Sequence, residues 1–401
     1  MDKFHQAKPL CIVLALLWSA ASVWGGAAVA AEETLAAEVG PAGAAVIYAD
    51  GFEPPITPGA LACPSPEPPP PANDAFEFWL PPESGMDDRE VVNRLFVSSD
   101  AVFAATLAGV KLSCNGGRNW TSRSTGLPES SLPQYFAASG STLFVALGYG
   151  PPGVPAGVYR SNNGGASWVS MNEGLPVPVD PNGLYPTVRG MVKTSTSLLA
   201  YVQVDSVLSM YRRADNSAVW TLVGQGLPPE FKNADGGPMF VDGTRVYLGT
   251  LGRMFLSDDD GVTWTPLPST GLDQQLPPIP YVFDGVLFGR QFLSGLYRYD
   301  AANSQWNALT PFPVPGQQLA WFGTTYYGGR LFQTVERESF LGGARVFSAS
   351  PPFTSWVEHS GFLPSAAAPY GGLDLAVLPP YMLMAGNRGG VWRRALNALS
   401  Q

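Results

Sequence analysis

The chain has 401 residues, with 23 Lys or Arg against 32 Asp or Glu, and its formal net charge is −9. An acidic chain without a basic cluster is a poor partner for nucleic acid or an anionic membrane. Two histidines and three cysteines are too few for a multi-histidine metal site or a zinc knuckle. With 45 Gly, 39 Pro and only 14% charged residues, the composition is typical of a turn-rich all-β protein.

Residues 1–30 predict a secretory signal peptide. Lys3 and Lys8 precede an apolar run at 10–24, and Ala-Val-Ala at 28–30 forms a cleavage pattern. The alternative is an uncleaved N-terminal anchor. Cleavage would remove two basic and one acidic residue, leaving 21 and 31, in a secreted or periplasmic protein. No later segment is apolar for long enough to cross a bilayer.

Residues 31–75 predict a linker. Its proline density, highest between residues 53 and 71, disfavours packed secondary structure and favours an extended polyproline II spacer.

Three eight-residue segments further along the chain share Ser, Asp or Asn, Gly and a final Trp. They are SCNGGRNW at 113–120, SNNGGASW at 161–168 and SDDDGVTW at 257–264. Weaker copies end at Trp220, Trp306 and Trp356. The steps between successive tryptophans are 48, 52, 44, 42 and 50 residues, a period that indicates a repeat architecture.

The flanks of the motif repeat as well. A Gly-apolar-aromatic-Arg segment such as GVYR precedes it, and GLP follows the Trp. Short alternating runs such as TLFVALG and RVYLGT lie between, separated by turn residues, as is typical of antiparallel strands. Each period holds four such strands, which predicts an all-β fold, a β-propeller of four-stranded antiparallel blades.

The motif resembles the Asp-box, or BNR repeat, of the sialidase-like, sortilin-like and photosystem-assembly-factor-like propellers. The resemblance implies a turn between the third and fourth strands of a blade, in which Ser and Asp hydrogen-bond locally and Gly adopts positive φ. It implies a structural role for Ser113, Asn115, Gly117, Trp120, Ser161, Asn163, Gly165, Trp168, Ser257, Asp259, Gly261, Thr263 and Trp264. The alternative, a calcium loop, is disfavoured because the sibling copies carry Asn or Gly in place of carboxylates. No metal and no cofactor is expected.

The blade count follows from the two ends of the repeat region. Trp79 and Gly85 have the same six-residue offset as Trp120 and Gly126, so residues 76–81 are expected to be the outermost strand of the last blade. Pairing the two chain ends removes exposed sheet edges. We therefore predict seven blades over residues 76–396 and a tail at 397–401; six blades remain the alternative if the copy around Trp306 is an insertion.

Two cysteines remain after signal cleavage. Cys114 lies in the turn of the first blade, and the linker leads from Cys63 to the closing strand on the same face. An exported protein should oxidise two thiols within reach of each other, so we expect a Cys63–Cys114 disulfide. The alternatives are two unbridged cysteines, or Cys63 used between chains.

Candidate functional residues lie in the loops expected on the face opposite the motif turns. The ligand-binding candidates are Arg89, Tyr149, Tyr185, Gln274, Gln275, Arg337, Phe340 and Arg388, and the candidate catalytic carboxylates are Asp88, Asp180 and Glu338. Aromatic rings mixed with charged groups suit a sugar or an extended peptide. Each of these residues also has a plain interpretation as a solvated loop side chain.

Two functions are consistent with these features. The first is a monomeric, exported, non-catalytic binding or scaffold module for a protein or a glycan. The alternative is a glycoside hydrolase with paired carboxylates at the channel mouth. The arginine-bearing FRIP-type motif of sialidases is absent from this sequence, and xyloglucan-cleaving relatives use two facing seven-bladed domains where this chain has one. The binding module is the preferred interpretation.

Overall fold

The computed structural model describes residue 63 and residues 78–87, 89–98, 100–149, 157–176, 187–204, 207–227, 239–250, 252–309, 319–337, 344–360, 363, 372–386 and 389–399. Within these ranges the chain forms seven antiparallel sheets arranged as the blades of a β-propeller. The predicted signal peptide, and all of the predicted linker except Cys63, lie outside the described residues.

The first three blades contain twelve strands. They are β1 (Val92–Ser98), β2 (Ala101–Thr106), β3 (Gly109–Ser113) and β4 (Thr121–Ser122); β5 (Leu132–Ser139), β6 (Thr142–Tyr149), β7 (Gly157–Ser161) and β8 (Val169–Ser170); and β9 (Thr187–Lys193), β10 (Ser197–Val204), β11 (Val207–Ala214) and β12 (Thr221–Val223).

The other four blades follow the same order. Blades four and five contain β13 (Met239–Asp242), β14 (Arg245–Thr250), β15 (Arg253–Ser257) and β16 (Thr265–Pro266), then β17 (Ile279–Phe283), β18 (Val286–Gln291), β19 (Gly295–Asp300) and β20 (Gln305–Ala308). Blades six and seven contain β21 (Leu319–Tyr327), β22 (Arg330–Arg337), β23 (Arg345–Ala349) and β24 (Val357–Glu358), then β25 (Gly372–Leu378), β26 (Tyr381–Gly386) and β27 (Val391–Ala395). A 3-10 turn, Leu396–Leu399, follows, and no helix among the described residues is long and apolar enough to span a membrane.

The ring closes where the two ends of the propeller meet. The last blade has three strands of its own, and Leu80 forms the antiparallel bridge that completes it, exchanging backbone hydrogen bonds of 2.8 and 2.9 Å with Arg393. Trp79 is 2% exposed and donates its indole N–H to the carbonyl of His359. The predicted closure of the seventh blade by the N-terminal strand is confirmed; residues 76 and 77 of that strand lie outside the described part.

A repeated backbone joint links neighbouring blades at five of the seven junctions within the described residues. In each joint, the motif Trp of one blade donates its backbone N–H to a carbonyl near the end of the preceding blade. The acceptor is the residue immediately before the Gly that follows the Trp of that preceding blade. The five donor–acceptor pairs are Trp120–Ser84, Trp168–Thr125, Trp220–Glu173, Trp264–Gln225 and Trp306–Thr270, at 2.8 to 3.1 Å. A side chain on the Gly would collide with this joint: a Cβ at Gly126 would lie 2.2 Å from the carbonyl oxygen of Trp168. The spacing of the repeat in the sequence therefore reflects this contact between neighbouring blades, which recurs once per blade.

The hydrophobic core is divided between the blades. Every cluster of buried apolar residues draws on two or three neighbouring sheets. Between blades one and two, for example, Phe96 stacks on Phe136 with 5.6 Å between ring centroids, and Trp168 lies in the same cluster. Burial of aromatic side chains between sheets is the main stabilising contribution in such a ring.

A disulfide joins the linker to the first blade. Cys63 is bonded to Cys114, with 5.4 Å between their Cα atoms and 51 residues between them in sequence. The bridge expected from the sequence is therefore present, beside the apolar cluster between blades one and two.

Strand register defines two faces of the ring. In blade one, Ser98 at the end of β1 pairs with Ala101 at the start of β2, and Val102 pairs with Ser113 at the end of β3. The motif turn that begins at Ser113 therefore lies at the face where β1 ends, which we call the turn face. The first strands contact one another around the ring axis and begin at the opposite face, which we call the loop face.

Candidate functional site at the loop face

Five of the seven first strands are irregular near the loop face. Each has a register shift within its first residues, whereas β13 and β17 pair regularly with their neighbours. The shifts lie between Val92 and Arg94, Pro133 and Tyr135, Val188 and Gly190, Trp321 and Thr324, and Gly372 and Asp374. Bulges redirect side chains and are enriched beside functional sites. Here they surround the mouth of the channel.

The bulged strands of blades one to three are linked by one chain of polar contacts. The guanidinium carbon of Arg94 lies 4.8 Å from the ring centroid of Tyr135, a cation–π distance. The Tyr135 hydroxyl donates to the carbonyl of Arg189 at 2.6 Å, and Nε of Arg189 donates to Oε1 of Gln203 at 2.7 Å. Burial raises the pKa of Tyr135 to about 12, against the effect of the two arginines, so this phenol remains a donor.

The bulged strand of blade seven contributes a carboxylate to the same layer. Asp374 accepts the backbone N–H groups of Leu95 at 2.9 Å and Leu375 at 3.0 Å, and Leu95 belongs to blade one. Burial raises the pKa of Asp374, while Arg94, these two amides and Arg290 act in the opposite direction. The carboxylate therefore lies within electrostatic range of arginines from two other blades.

Arg290 of blade five is 1% exposed, which is unusual for an arginine. Its Nε lies 3.3 Å from the hydroxyl of Tyr281, also buried. Burial lowers the pKa of Arg290, and Tyr281 and Asp374 counteract that shift. Because a guanidinium keeps its proton in proteins, a fixed positive charge lies beneath the loop face.

These side chains form what we call the loop-face cluster: Arg94, Tyr135, Arg189, Tyr281, Arg290 and Asp374. It holds three guanidinium groups and one carboxylate. A second buried carboxylate, Glu336, lies at the loop-face end of β22. The cluster is thus net positive in a chain of net charge −9. Guanidinium groups bind carboxylates with two parallel hydrogen bonds, so an anionic ligand fits this layer.

The three motif turns on the opposite face have one geometry. In the turn of blade four, Ser257 donates its hydroxyl to Asp259 and accepts the N–H of Gly261 at 2.9 Å. Asp259 also accepts the backbone N–H and the hydroxyl of Thr263, at 2.8 and 2.5 Å. Burial would raise the pKa of Asp259, but the hydrogen bonds from Thr263 and Ser257 outweigh it and the pKa lies below its usual value.

The other two turns repeat the bonds to the serine hydroxyl and the backbone bond to the side-chain oxygen, with asparagine in place of aspartate. The bond from the Thr263 hydroxyl is not repeated, since Asn163 instead donates its amide N–H to the hydroxyl of Ser167 at 2.9 Å. The N–H groups of Gly117 and Gly165 donate to Ser113 and Ser161 at 2.9 Å, and those of Asn119 and Ser167 donate to Asn115 and Asn163 at 2.9 Å. The indole N–H groups of Trp120 and Trp264 donate to the turn glycine carbonyl, whereas that of Trp168 donates to the carbonyl of Arg123. An uncharged amide serves as well as a carboxylate, and no metal-binding group of His, Cys, Asp or Glu occurs among the described residues.

The remaining aspartate of SDDDGVTW connects two blades. Asp260 accepts hydrogen bonds from Arg212 at 2.7 Å, from Thr196 at 2.6 Å and from the hydroxyl of Ser197, all in blade three. Burial, which alone would raise the pKa of Asp260, is outweighed by these donors, and the pKa falls to about 2. Asp260 is thus an ionised clasp between blades three and four.

His359, the one histidine among the described residues, is buried where the sixth and seventh blades meet beside Trp79, which we call the closure seam. His359 is 5% exposed, and its Nε2 lies 2.8 Å from the hydroxyl of Ser348, which is fully buried. Burial, with Arg394 and Arg330 nearby, lowers the pKa of His359 to about 4, against the effect of Glu358. A substrate has no access to this serine, so the pair is structural.

Five of the eleven loop residues predicted from the sequence fall within the described part of the chain, three of them with their side chains. Arg89 is exposed, and Gln274 donates to the carbonyl of Leu272 at 3.0 Å, within its own loop; Gln275 is exposed beside it. Tyr149 and Arg337 end β6 and β22 at the loop face, and their side chains are not described. Asp88, Asp180, Tyr185, Glu338, Phe340 and Arg388 lie outside the described residues.

The loop-face cluster does not stand out in the sequence, because its members occur singly in strands. Arg94, Arg189 and Asp374 interrupt apolar runs, and only Asp374 in GLDLAVL marks a charge inside an otherwise apolar strand. A charged residue within two residues of the start of a predicted first strand is the signal that finds them.

No family model and no curated protein matches this sequence. Solved structures match by shape. YCF48 bound to D1 peptide has a TM-score of 0.55 and 14% identity, covering 79% of this chain and 95% of that one. The extracellular domain of BT4673 from B. thetaiotaomicron has a TM-score of 0.58 and 12% identity, covering 80% of this chain and 40% of that one.

A GH74 xyloglucanase from Xanthomonas campestris has a TM-score of 0.57 and 17% identity, covering 80% of this chain and 54% of that one. This chain spans about half of the xyloglucanase and less of BT4673. At such low identities the likeness shows the propeller fold alone.

Proposed function

We propose that this chain is an exported, non-catalytic binding module that takes an acidic polypeptide segment at the loop face. The proposal includes an Asp-box propeller over residues 76–396, preceded by a cleaved signal peptide at 1–30 and a linker at 31–75 and followed by a tail at 397–401. The ligand groups bound would be side-chain or C-terminal carboxylates.

The loop-face cluster is the observation that carries the proposal. Arg94 and Arg189 are only partly buried, lie at bulges, and are held in place by Tyr135 and Gln203. Such a preorganised guanidinium pair recognises carboxylates without first ordering flexible side chains. The propeller likeness to YCF48, a structure solved with a peptide, is consistent with a peptide ligand.

The test uses a labelled acidic peptide. Fluorescence anisotropy of the mature protein with fluorescein-labelled octaglutamate should show saturable binding that weakens as salt is added. Octaglutamine, the matched neutral peptide, should bind far more weakly. Arg94→Gln and Arg189→Gln should each reduce the affinity for octaglutamate by about tenfold or more, because each removes a charge-assisted hydrogen bond donor.

Arg160→Gln is the matched control, since Arg160 is exposed on β7, outside the cluster. It should bind octaglutamate like the unaltered protein, and thermal melts should show all three variants folded. Equal binding of the two peptides, or equal loss with Arg160→Gln, contradicts the proposal. Sugar release from xyloglucan, β-glucan, pectin or sialosides by the unaltered protein would instead establish a glycosidase.

A further inference from the structure

The intact motif turns occupy a defined seat on the neighbouring blade. A methyl group added at the turn glycine would lie 2.5 to 2.9 Å from one side chain of the preceding blade, so the turn is packed directly on it. The three pairs are Gly117 on Leu383, Gly165 on Phe103 and Gly261 on Leu199. Each of these seat residues is the third residue of the second strand in its blade. In blade four the corresponding residue is Tyr247.

Blade five does not fill the seat on Tyr247. Its copy of the motif reads YDAANSQW, with Tyr299 at the serine position, Ala301 at the Asp position and Asn303 at the glycine position. The segment forms an ordinary hairpin closed by the pairing of Asp300 with Gln305, and its tip is exposed. A cleft of about 650 Å³ remains between blades four and five.

Apolar side chains line much of this cleft. Tyr247 and Leu256 come from blade four, Leu267 follows it, and Val286 and Tyr299 come from blade five. Apart from Tyr247, each is only partly buried. Tyr299 is held by Trp306, with 4.9 Å between ring centroids. The cleft thus combines apolar walls with bordering polar groups, and its volume lies in the range of small-molecule sites.

Polar groups border the cleft, with a guanidinium from each blade. Arg245 is paired with Asp258 at 3.1 Å, and both are exposed. Arg298 is different: within the described residues it donates no hydrogen bond and forms no salt bridge. Its charge does act on Asp300, whose pKa is lowered mainly by hydrogen bonds from Asn303 and to a smaller extent by Arg298. Asp300 beside it is engaged by its own turn, accepting the backbone N–H of Ala302 at 3.1 Å and two N–H groups of Asn303 at 2.8 and 3.2 Å.

We propose that this cleft is a second binding site, for a small amphipathic carboxylate with an alkyl or aryl body. The apolar body lies against Leu256, Leu267 and Val286, and Arg298 binds the carboxylate as a bidentate donor. Aliphatic walls favour such a body over a sugar ring, whose hydroxyl groups they leave without partners. The site is independent of the loop-face cluster, since it lies at the turn end of β14 and β18.

Calorimetric titration with 4-phenylbutyrate tests the site. The unaltered protein should bind one molecule, while 4-phenylbutan-1-ol and 4-phenylbutylamine should bind at least about tenfold more weakly. Arg298→Gln should lower the affinity for 4-phenylbutyrate by about tenfold. The matched control is Arg160→Gln, because Arg160 has the same position in the GVYR segment of a blade with an intact turn; it should change nothing.

A repair variant tests the origin of the cleft. Tyr299→Ser, Ala301→Asp, Asn303→Gly and Gln305→Thr together restore the motif of blade four, which should seat the turn on Tyr247 and abolish binding. If this variant fails to fold in a thermal melt, Arg298→Gln still decides. No saturable binding of 4-phenylbutyrate, equal affinity for the alcohol, or equal loss in Arg160→Gln would overturn the proposal.

Discussion

The two faces of this ring use charged and polar side chains in opposite ways. On the turn face, the hydrogen bonds of Ser257 and Asp259 reach residues no more than four positions away, and three turns repeat them. On the loop face, Asp374 bonds to a residue 279 positions away, and Arg94, Arg189 and Arg290 come from three different blades. Groups that repeat locally build the scaffold, whereas groups that occur once converge on the mouth of the channel.

The comparison predicts that changes to the repeated motif turns alter stability and that changes to the loop-face cluster alter peptide binding. The largest effect is expected from Trp264→Ala. Trp264 is 3% exposed and donates to the carbonyl of Gly261 at 2.9 Å. Its truncation should lower the free energy of unfolding by about 3–5 kcal/mol, as for other buried tryptophans. Urea denaturation measures the loss, with Trp264→Phe as the milder control.

The binding half of that prediction is measured on the same variant. At a temperature where Trp264→Ala is folded, its affinity for octaglutamate should equal that of the unaltered protein. Arg94→Gln should instead keep the free energy of unfolding and lose affinity for octaglutamate. A tenfold loss of affinity in folded Trp264→Ala would break the division between the two faces.

A pH dependence is expected from the closure seam. His359 has a pKa lowered to about 4 in the folded chain, against about 6.5 in an unfolded one, so the unfolded chain binds the proton first as the pH falls. The contribution of His359 to the free energy of unfolding is therefore complete above about pH 6.5 and declines towards pH 4, by on the order of 3 kcal/mol.

His359→Gln serves as the comparison for that decline. It keeps a polar group near Ser348 and removes the titrating ring. Urea midpoints between pH 7 and pH 4 should fall less steeply in His359→Gln than in the unaltered protein. Parallel slopes in the two proteins would show that carboxylates alone are responsible.

The smallest effect on the free energy of unfolding is expected from an aspartate in a motif turn, and it distinguishes the intact turn of blade four from the altered turn of blade five. Asp260→Asn removes the ionised acceptor of Arg212, Ser197 and Thr196, and should reduce the free energy of unfolding by about 1–3 kcal/mol at neutral pH. Because the pKa of Asp260 is about 2, the difference should disappear as the pH falls from about 4 towards 2.

Asp300→Asn in blade five is the matched substitution. Asp300 bonds only within its own exposed turn among the described residues, so the urea midpoint should not change. An equal loss in both variants would mean that Asp260 acts on its own turn and not as a clasp between blades.

The sequence predicted the fold because the repeated groups are local. The spacing from Trp to Gly reflects the backbone joint between neighbouring blades. The same spacing from Trp79 to Gly85 therefore predicted the joint between the closing strand and the first blade. The functional site was predicted less well, because bulges at Arg94, Arg189 and Asp374 depend on how neighbouring sheets pack. Single charged residues inside strands do not repeat along the sequence. That they lie close together is known only from the arrangement of the seven sheets around one axis.

A crystal structure of the mature protein with octaglutamate tests the central claim most directly. The account predicts a peptide carboxylate within hydrogen-bond distance of the guanidinium groups of Arg94 or Arg189, at the mouth of the channel on the loop face. A peptide seated on the turn face, or in the cleft between blades four and five, would contradict it.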